Sequence, residues 1–167
     1  MDLRIVAVGC LVSYLIGSVS FSRLVARLLK PDLNLDTVHI VNADGSQGAQ
    51  LLTVGATTAS IQLGPRVGCM IGWLDILKGF VPPLVLKLLY PDQPYYLLGG
   101  LAAVTGHNWP VFYKFKGGTG MSTAYGALLV VDWLGVIVCS VIGMLFGFAI
   151  LRDVVIAYLS GIWFIVP

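Results

Sequence analysis

The sequence predicts an all-α fold, a polytopic helical bundle embedded in a membrane, on three observations. Hydrophobic residues fill 57% of the 167 positions and charged ones 11%, with no glutamate, whereas a soluble protein carries about a quarter charged residues. The apolar positions gather into runs long enough to cross about 30 Å of hydrocarbon as helices. The ten lysines and arginines fall mainly between those runs, where they orient spans in a bilayer rather than line a groove for a polyanion. A net charge of +2 gives no reason to expect nucleic acid as a partner. Cys10, Cys69 and Cys139 are odd in number and each lies in an apolar run, so the sequence has neither a disulfide framework nor a CxxC metal pattern.

The first span runs from Leu3 to Leu29. Its start, Met-Asp-Leu-Arg, has one cation offset by Asp2, too little for the n-region of a signal peptide. It therefore reads as an uncleaved helix, although Val8-Gly9-Cys10 is a weak lipoprotein-type cleavage site. Arg23, Arg27 and Lys30 place its far end in the cytoplasm by the positive-inside rule, with the N-terminus outside. Ser13, Tyr14, Gly17, Ser18, Ser20 and Ser22 give this span a small, hydroxyl-rich stripe suited to close packing, and a hydroxyl near the cytoplasmic rim can also meet phosphate.

Residues 31–66 form the long polar connection, with Asp32, Asn34, Asp36, Asn42 and Asp44, and a loop of that length is functional or disordered. Its latter part, Leu51 to Leu63, is expected as a short amphipathic helix at the interface. The second span, Val67 to Leu89, returns to the outside at the Pro91-Asp92-Gln93-Pro94 turn. Tyr95 to Tyr113 crosses back and delivers Lys114-Phe115-Lys116 to the cytoplasm.

A single helix over residues 122–151 would be about 45 Å long, well beyond the hydrocarbon thickness. A hairpin is expected instead, with a short helix from Ser122 to Val131 dipping partway in, a turn at Asp132, and a full span from Trp133 to Leu151 that leaves Arg152 on the positive side. The final run, Val154 to Pro167, is shorter than the roughly 20 residues a span needs, so the chain reads as ending inside its last helix. One domain over 1–167 with about five to six hydrophobic helices results. Gly68–Gly72 and Gly143–Gly147 are GxxxG pairs read as packing devices.

The stretch Gly106-His-Asn-Trp-Pro-Val-Phe-Tyr-Lys-Phe-Lys-Gly-Gly-Thr-Gly120 carries the chemistry. Gly117, Gly118 and Gly120 permit positive φ and close backbone approach, so consecutive amides can face one anion, with Lys114 and Lys116 adding charge and the next helix its positive end. The plainer reading, a solvated turn with snorkelling lysines, fits the bare KxKGGxG pattern equally well. Asp75 and Lys78, three apart on one helix, cross the bilayer as a nearly neutral pair. They are either an internal lock between helices or, through Lys78-Gly79, part of an anion pocket. His107 and Asn108 precede Trp109-Pro110 within about 10 Å of the glycine loop.

Taken together, Tyr14-Leu-Ile-Gly-Ser-Val-Ser-Phe21, Val54-Gly-Ala-Thr-Thr58, Leu74-Asp-Ile-Leu-Lys-Gly-Phe80 and Gly106 through Gly120 resemble, in order and spacing over most of residues 10–155, the bacterial acylphosphate-dependent glycerol-3-phosphate acyltransferases, the PlsY family. The resemblance implies a small polytopic enzyme of the bacterial inner membrane, its active-site loops cytoplasmic, that moves a fatty acyl group from acyl phosphate to glycerol 3-phosphate to give lysophosphatidic acid. It implies no metal, no other cofactor, no acyl carrier protein and no dedicated base if a substrate phosphate oxygen takes the proton. Lys114, Lys116, Gly117, Gly118, Gly120, Gly55, Thr57, Lys78 and Arg152 are then expected around substrate phosphate, with Ser18, Ser20, Asp75, Gly79 and Asn108 in support. Ser46, Thr57, His107 and Lys116 are the candidates for a direct catalytic part.

The chain departs from the family pattern at several positions. Ile61 stands where the family has Arg, Thr119 where it has Lys and Val155 where it has Ser, and the family's C-terminal His-Arg-x-Asn segment lies beyond the chain. Gly45-Ser46-Gln47-Gly48-Ala49 competes with Val54-Gly55-Ala56-Thr57-Thr58 for the register of the first phosphate loop. At about 1 to 3 kcal/mol for each lost charged hydrogen bond, such losses can remove turnover. A catalytically impaired relative that binds phospholipid, acyl phosphate or a partner enzyme is the alternative. A small transporter would need polar residues strung across several spans, and only Asp75, Lys78 and His107 qualify.

Overall fold

A computed structural model describes residues 2–35, 38–41, 47–50, 53–146 and 149. They fall into two compact units, Met1–Ala127 and Leu128–Pro167.

Helix α1, Leu3–Gly17, starts at Asp2, whose carboxylate accepts from the Arg4 amide at 2.8 Å. The first span was expected as one helix to Leu29, but it opens at residues 18–20 and resumes as α2, Phe21–Leu29. Hydroxyls at 18, 20 and 22 explain the break. Spacing by two would scatter them around a continuous helix, whereas the opened backbone buries Ser18, Ser20 and Ser22 together. The polar connection contains a feature not expected from its composition, a short antiparallel ribbon of β1, His39–Val41, and β2, Gln47–Gln50, with His39 opposite Gln50. Beneath the connection lies a small apolar core of Ala26, Leu35, Val38 and Val54, flanked by Leu33 and Leu63.

Helix α3, Ala56–Leu63, is the expected short helix with a later start; Leu51 and Leu52 lie outside the described residues. Helix α4, Pro65–Leu89, matches the second span, opening on a proline that needs no amide partner. Gly68 of the first GxxxG pair abuts Ser60 of α3 so closely that no Cβ fits. Gly147 of the second pair is outside the described residues. Pro82 and Pro83 inside α4 withhold the amides that would bond the carbonyls of Lys78 and Gly79. Helix α5, Tyr95–Asn108, ends earlier than the expected Tyr113, and a 3-10 turn, Val111–Tyr113, follows Pro110.

A close seam joins α1 and α5. A Cβ on Gly17 would strike the Ala103 carbonyl and one on Gly106 the Tyr14 carbonyl, so the two backbones touch. Tyr95 Oη accepts from the Asp2 amide at 2.7 Å, and Tyr14 Oη donates to the Trp109 carbonyl at 2.8 Å. Helix α6, Met121–Val131, lies against α4 through Thr123 on Gly79 and Gly126 on the Ile76 carbonyl. The expected break at Asp132 is present, its carboxylate accepting from the Gly135 amide at 2.9 Å to start α7, Trp133–Phe146. The Leu3–Leu29 stretch and α4 are each long and apolar enough to cross a membrane. Leu11, Trp73, Leu77 and Leu101 point outward, a surface that lipid solvates far better than water.

Candidate functional site

The opened backbone between α1 and α2, the middle of α4, the end of α5 and the glycine loop enclose a cavity of about 10 Å3, room for about one water molecule. Its lining includes Ser18, Ser20, Asp75, Lys78, His107 and Gly118. Lys78 Nζ donates to the Val19 carbonyl at 2.7 Å and stands 3.0 Å from Asp75 Oδ1, an ion pair without the alignment of a hydrogen bond. The ammonium thus replaces the helical amide that the break at Ser18–Ser20 takes from its carbonyl. Phe21 adds a ring face 5.6 Å from the same nitrogen. His107 Nδ1 lies 3.7 Å from Asp75 Oδ1, so the carboxylate sits between two basic groups.

The glycine loop is held against α5 rather than free. The Gly118 amide donates to the His107 carbonyl at 3.2 Å, which removes it from the set of amides expected to face an anion. Among Gly117, Gly118 and Gly120, only Gly120 has positive φ, at 76°. The other two are glycine because a Cβ would collide with the His107 carbonyl at 117 and with His107 Nε2 at 118. The left-handed turn falls on Lys114 and Phe115, at φ 52° and 60°. Val54 N–H donates to the Gly117 carbonyl at 2.9 Å and a Cβ on Gly55 would meet the Gly118 Cα at 3.9 Å, bringing the start of α3 to the loop. The N-terminus of α2, where Ser20 makes no side-chain capping bond, reaches the same cavity. Helix N-termini attract anions.

Among the described residues, the buried Ser18 Oγ, His107 Nδ1, Asn108 Oδ1 and Thr123 Oγ1 have no hydrogen-bond partner, while Asp75 Oδ1 has the Lys78 ammonium beside it. Each unpartnered atom costs about 1–3 kcal/mol where neither water nor a ligand satisfies it. No group of three His, Cys, Asp or Glu side chains gathers among the described residues, and Asp75 with His107 offers two metal ligands at most.

Of the residues expected from sequence, Ser18, Ser20, Asp75, Lys78, His107, Gly117 and Gly118 line the cavity, and Asn108, Gly120, Gly79 and Gly55 adjoin them. Lys114, Lys116 and Thr119 are exposed on the loop, and Thr57 is exposed on α3. The neighbouring Thr58 is the buried one, its hydroxyl donating to the Thr53 carbonyl at 2.6 Å. Ile61 is exposed. Ser46, Arg152 and Val155 lie outside the described residues. Ser22, Val54 and Pro110, named from sequence only within their motifs, also line the cavity. Sequence reasoning missed the Val19 carbonyl and Arg23, whose guanidinium lies 3.4 Å from Ser20 Oγ and 4.7 Å from the centre of the Tyr113 ring. The alternating serines were the available signal, since they fit an opened backbone better than a helix.

Residues 7–167 match the glycerol-3-phosphate acyltransferase family. The chain is 36% identical to the glycerol-3-phosphate acyltransferase of Aquifex aeolicus, over 74% of this chain and 64% of that protein. With the enzyme of the same name from Thermotoga petrophila it shares 34% identity, over 91% of this chain and 74% of that one. Among solved structures it is similar to PlsY, an integral membrane glycerol 3-phosphate acyltransferase, in its glycerol 3-phosphate form, with TM-score 0.75 and 31% identity over 96% of this chain and 74% of that chain. The lysophosphatidic acid form of PlsY gives TM-score 0.61 at 28% identity, over 96% and 86%. The chain therefore spans just under two thirds to three quarters of the length of the two curated relatives.

Proposed function

The chain belongs to the glycerol-3-phosphate acyltransferase family and is an integral membrane protein, and from that premise we propose that it transfers a fatty acyl group from acyl phosphate to glycerol 3-phosphate, releasing lysophosphatidic acid and phosphate. A hydroxyl oxygen of the acceptor attacks the acyl carbonyl, the carbon–oxygen bond to phosphate breaks, and the proton passes to a phosphate oxygen. The observation that carries this reading is the cluster of polar groups lining the cavity where the glycine loop meets the break in the first span, among them Ser18 Oγ and His107 Nδ1, which are buried without hydrogen-bond partners.

On this reading the cluster and the α2 and α3 N-termini receive phosphate, while exposed Lys114 and Lys116 draw the anions to the loop. Lys78 holds the α1–α2 opening through the Val19 carbonyl and adds positive charge from behind. His107, packed on Gly118, fixes the loop's position. A phosphate group is larger than the cavity, so binding parts the loop from residues 53–55, which a single backbone bond, Val54 to Gly117, ties together among the described residues. The acyl tail stays in lipid beside the apolar helix surfaces.

The orientation we propose puts the glycine loop in the cytoplasm and the 91–94 turn outside, following the positive charges at Arg23, Arg27, Lys30, Lys114 and Lys116. A cysteine placed at Thr119 should react with impermeant reagent only from the cytoplasmic side; reaction from outside overturns the assignment.

Membranes containing this protein alone, given synthetic acyl phosphate and radiolabelled glycerol 3-phosphate, should form lysophosphatidate. Uncharged Ile61 and Thr119 favour slow turnover, and they support the second reading, an impaired relative that binds phosphate-bearing lipid. Lys116→Ala should abolish product and Thr119→Lys should raise it. Brisk turnover indifferent to both changes would place the chemistry away from residues 114–120, and acyl phosphate binding without product would favour the impaired relative.

A further inference from the structure

A second cavity, of about 230 Å3, lies between α2 and residues 31–35. Arg23 and Arg27 line it four residues apart on α2, so their side chains leave the helix from one face. Two such forks suit the oxygens of a phosphate monoester. Asp32 and Asn34 line the same cavity from the facing segment. A carboxylate is out of place in a site for bare phosphate, because it repels the anion. It suits a phosphate compound with hydroxyl groups, whose O–H bonds can donate to Asp32 and Asn34 while the phosphate meets the arginines. The cavity also adjoins the buried one: Arg23 Nη1 is 3.4 Å from Ser20 Oγ, and Ser20 bonds Ser22 at 3.0 Å, both serines lining the buried cavity.

We propose that this cavity is a docking site for a hydroxylated phosphate monoester, glycerol 3-phosphate, which Arg23 and Arg27 hold by its phosphate and Asp32 by a hydroxyl, one step outside the buried site. The inference rests on the acceptor named under the proposed function and adds a site to it. Arg23 is the shared element, touching Ser20 on one side and lining the outer cavity on the other, while Arg27, exposed near the end of α2, belongs to the outer cavity alone.

The test uses the whole chain in phosphatidylcholine nanodiscs, with equilibrium dialysis of radiolabelled glycerol 3-phosphate and, separately, inorganic phosphate. The unaltered protein should prefer glycerol 3-phosphate. Arg27→Gln should weaken its binding about tenfold and Arg27→Lys less, the loss expected for a charged hydrogen bond. Asp32→Asn should erase most of the preference over inorganic phosphate, a result that loss of folding would not give. Absence of binding or of preference in the unaltered protein, or unchanged binding in Arg27→Gln, overturns the site. If Arg27→Gln instead loosens acyl phosphate or phosphatidic acid held in vesicles as strongly as glycerol 3-phosphate, the cavity is a lipid-headgroup site and the proposal fails. Acyl transfer measured on the same samples separates the two readings. Docking without product sinks the acyltransferase and leaves the site standing, whereas product formation with an unaltered KM for glycerol 3-phosphate in Arg27→Gln does the reverse.

Discussion

The α1–α5 seam and the cavity at its lower end are built from the same residue types, glycine and hydroxyl, with opposite outcomes. In the seam, Gly17 and Gly106 let backbones touch, and the Tyr14 and Tyr95 hydroxyls both find partners. In the cavity, Gly117 and Gly118 press on His107, yet Ser18 Oγ and His107 Nδ1 are left without partners. Close packing explains the first region completely. It leaves the second with buried polar atoms that cost stability, the pattern that the proposed phosphate site would produce.

The largest effect expected is at the ion pair beneath both regions. Lys78→Met strands a carboxylate that is 3% exposed and removes the donor to the Val19 carbonyl, so it should destabilise by about 3–5 kcal/mol. Adding Asp75→Asn should recover a large part of that, because no charge is then buried alone. Melting temperatures of the single and double variants in detergent measure the difference, and equal values would show that Asp75 and Lys78 are uncoupled.

A middle-sized effect should separate seam from loop. Gly106→Ala drives a Cβ into the Tyr14 carbonyl, a rigid backbone atom, and should cost about 1–3 kcal/mol. Gly118→Ala meets the His107 imidazole, a side chain that can rotate away, and should cost less stability while removing acyl transfer. Thermal unfolding and turnover measured on both variants check this. The contrast collapses if Gly118→Ala is the less stable or remains fully active.

Much of this arrangement was legible in the sequence. The apolar runs, the Pro91–Pro94 turn and the stop at Asp132 come from local physics that a single segment carries. The meeting of Asp75, His107 and the glycine loop was signalled by polar residues in apolar spans, which must find company away from lipid. The break at Ser18–Ser20 was harder to see, because its replacement bond comes from Lys78, 59 residues away. Thr58 rather than Thr57 turns inward for a similar reason, as the facing of a short helix is set by what it packs on. Arg23 read as an orienting charge, and only the fold brings it to Ser20 and Tyr113. The β1–β2 ribbon depends on pairing across residues 42–46, and a polar composition gives little sign of such pairing.

The smallest effects give the sharpest form of the contrast, since they delete one oxygen each. Tyr14→Phe removes a hydroxyl that donates to the Trp109 carbonyl, and should cost about 1 kcal/mol of stability with acyl transfer unchanged. Ser18→Ala removes a hydroxyl that is fully buried and makes no hydrogen bond, so the fold loses nothing and is relieved of a desolvated polar atom. Its stability should stay level or rise by up to about 1 kcal/mol. Transfer, or failing that acyl phosphate binding, should fall, because on the proposed reading that oxygen is kept for the ligand. Denaturant titration paired with the acyl-transfer assay reads both quantities on one preparation. If Ser18→Ala weakens the fold as Tyr14→Phe does and leaves ligand handling untouched, its hydroxyl is structural, and the cavity is merely a poorly satisfied part of the same seam.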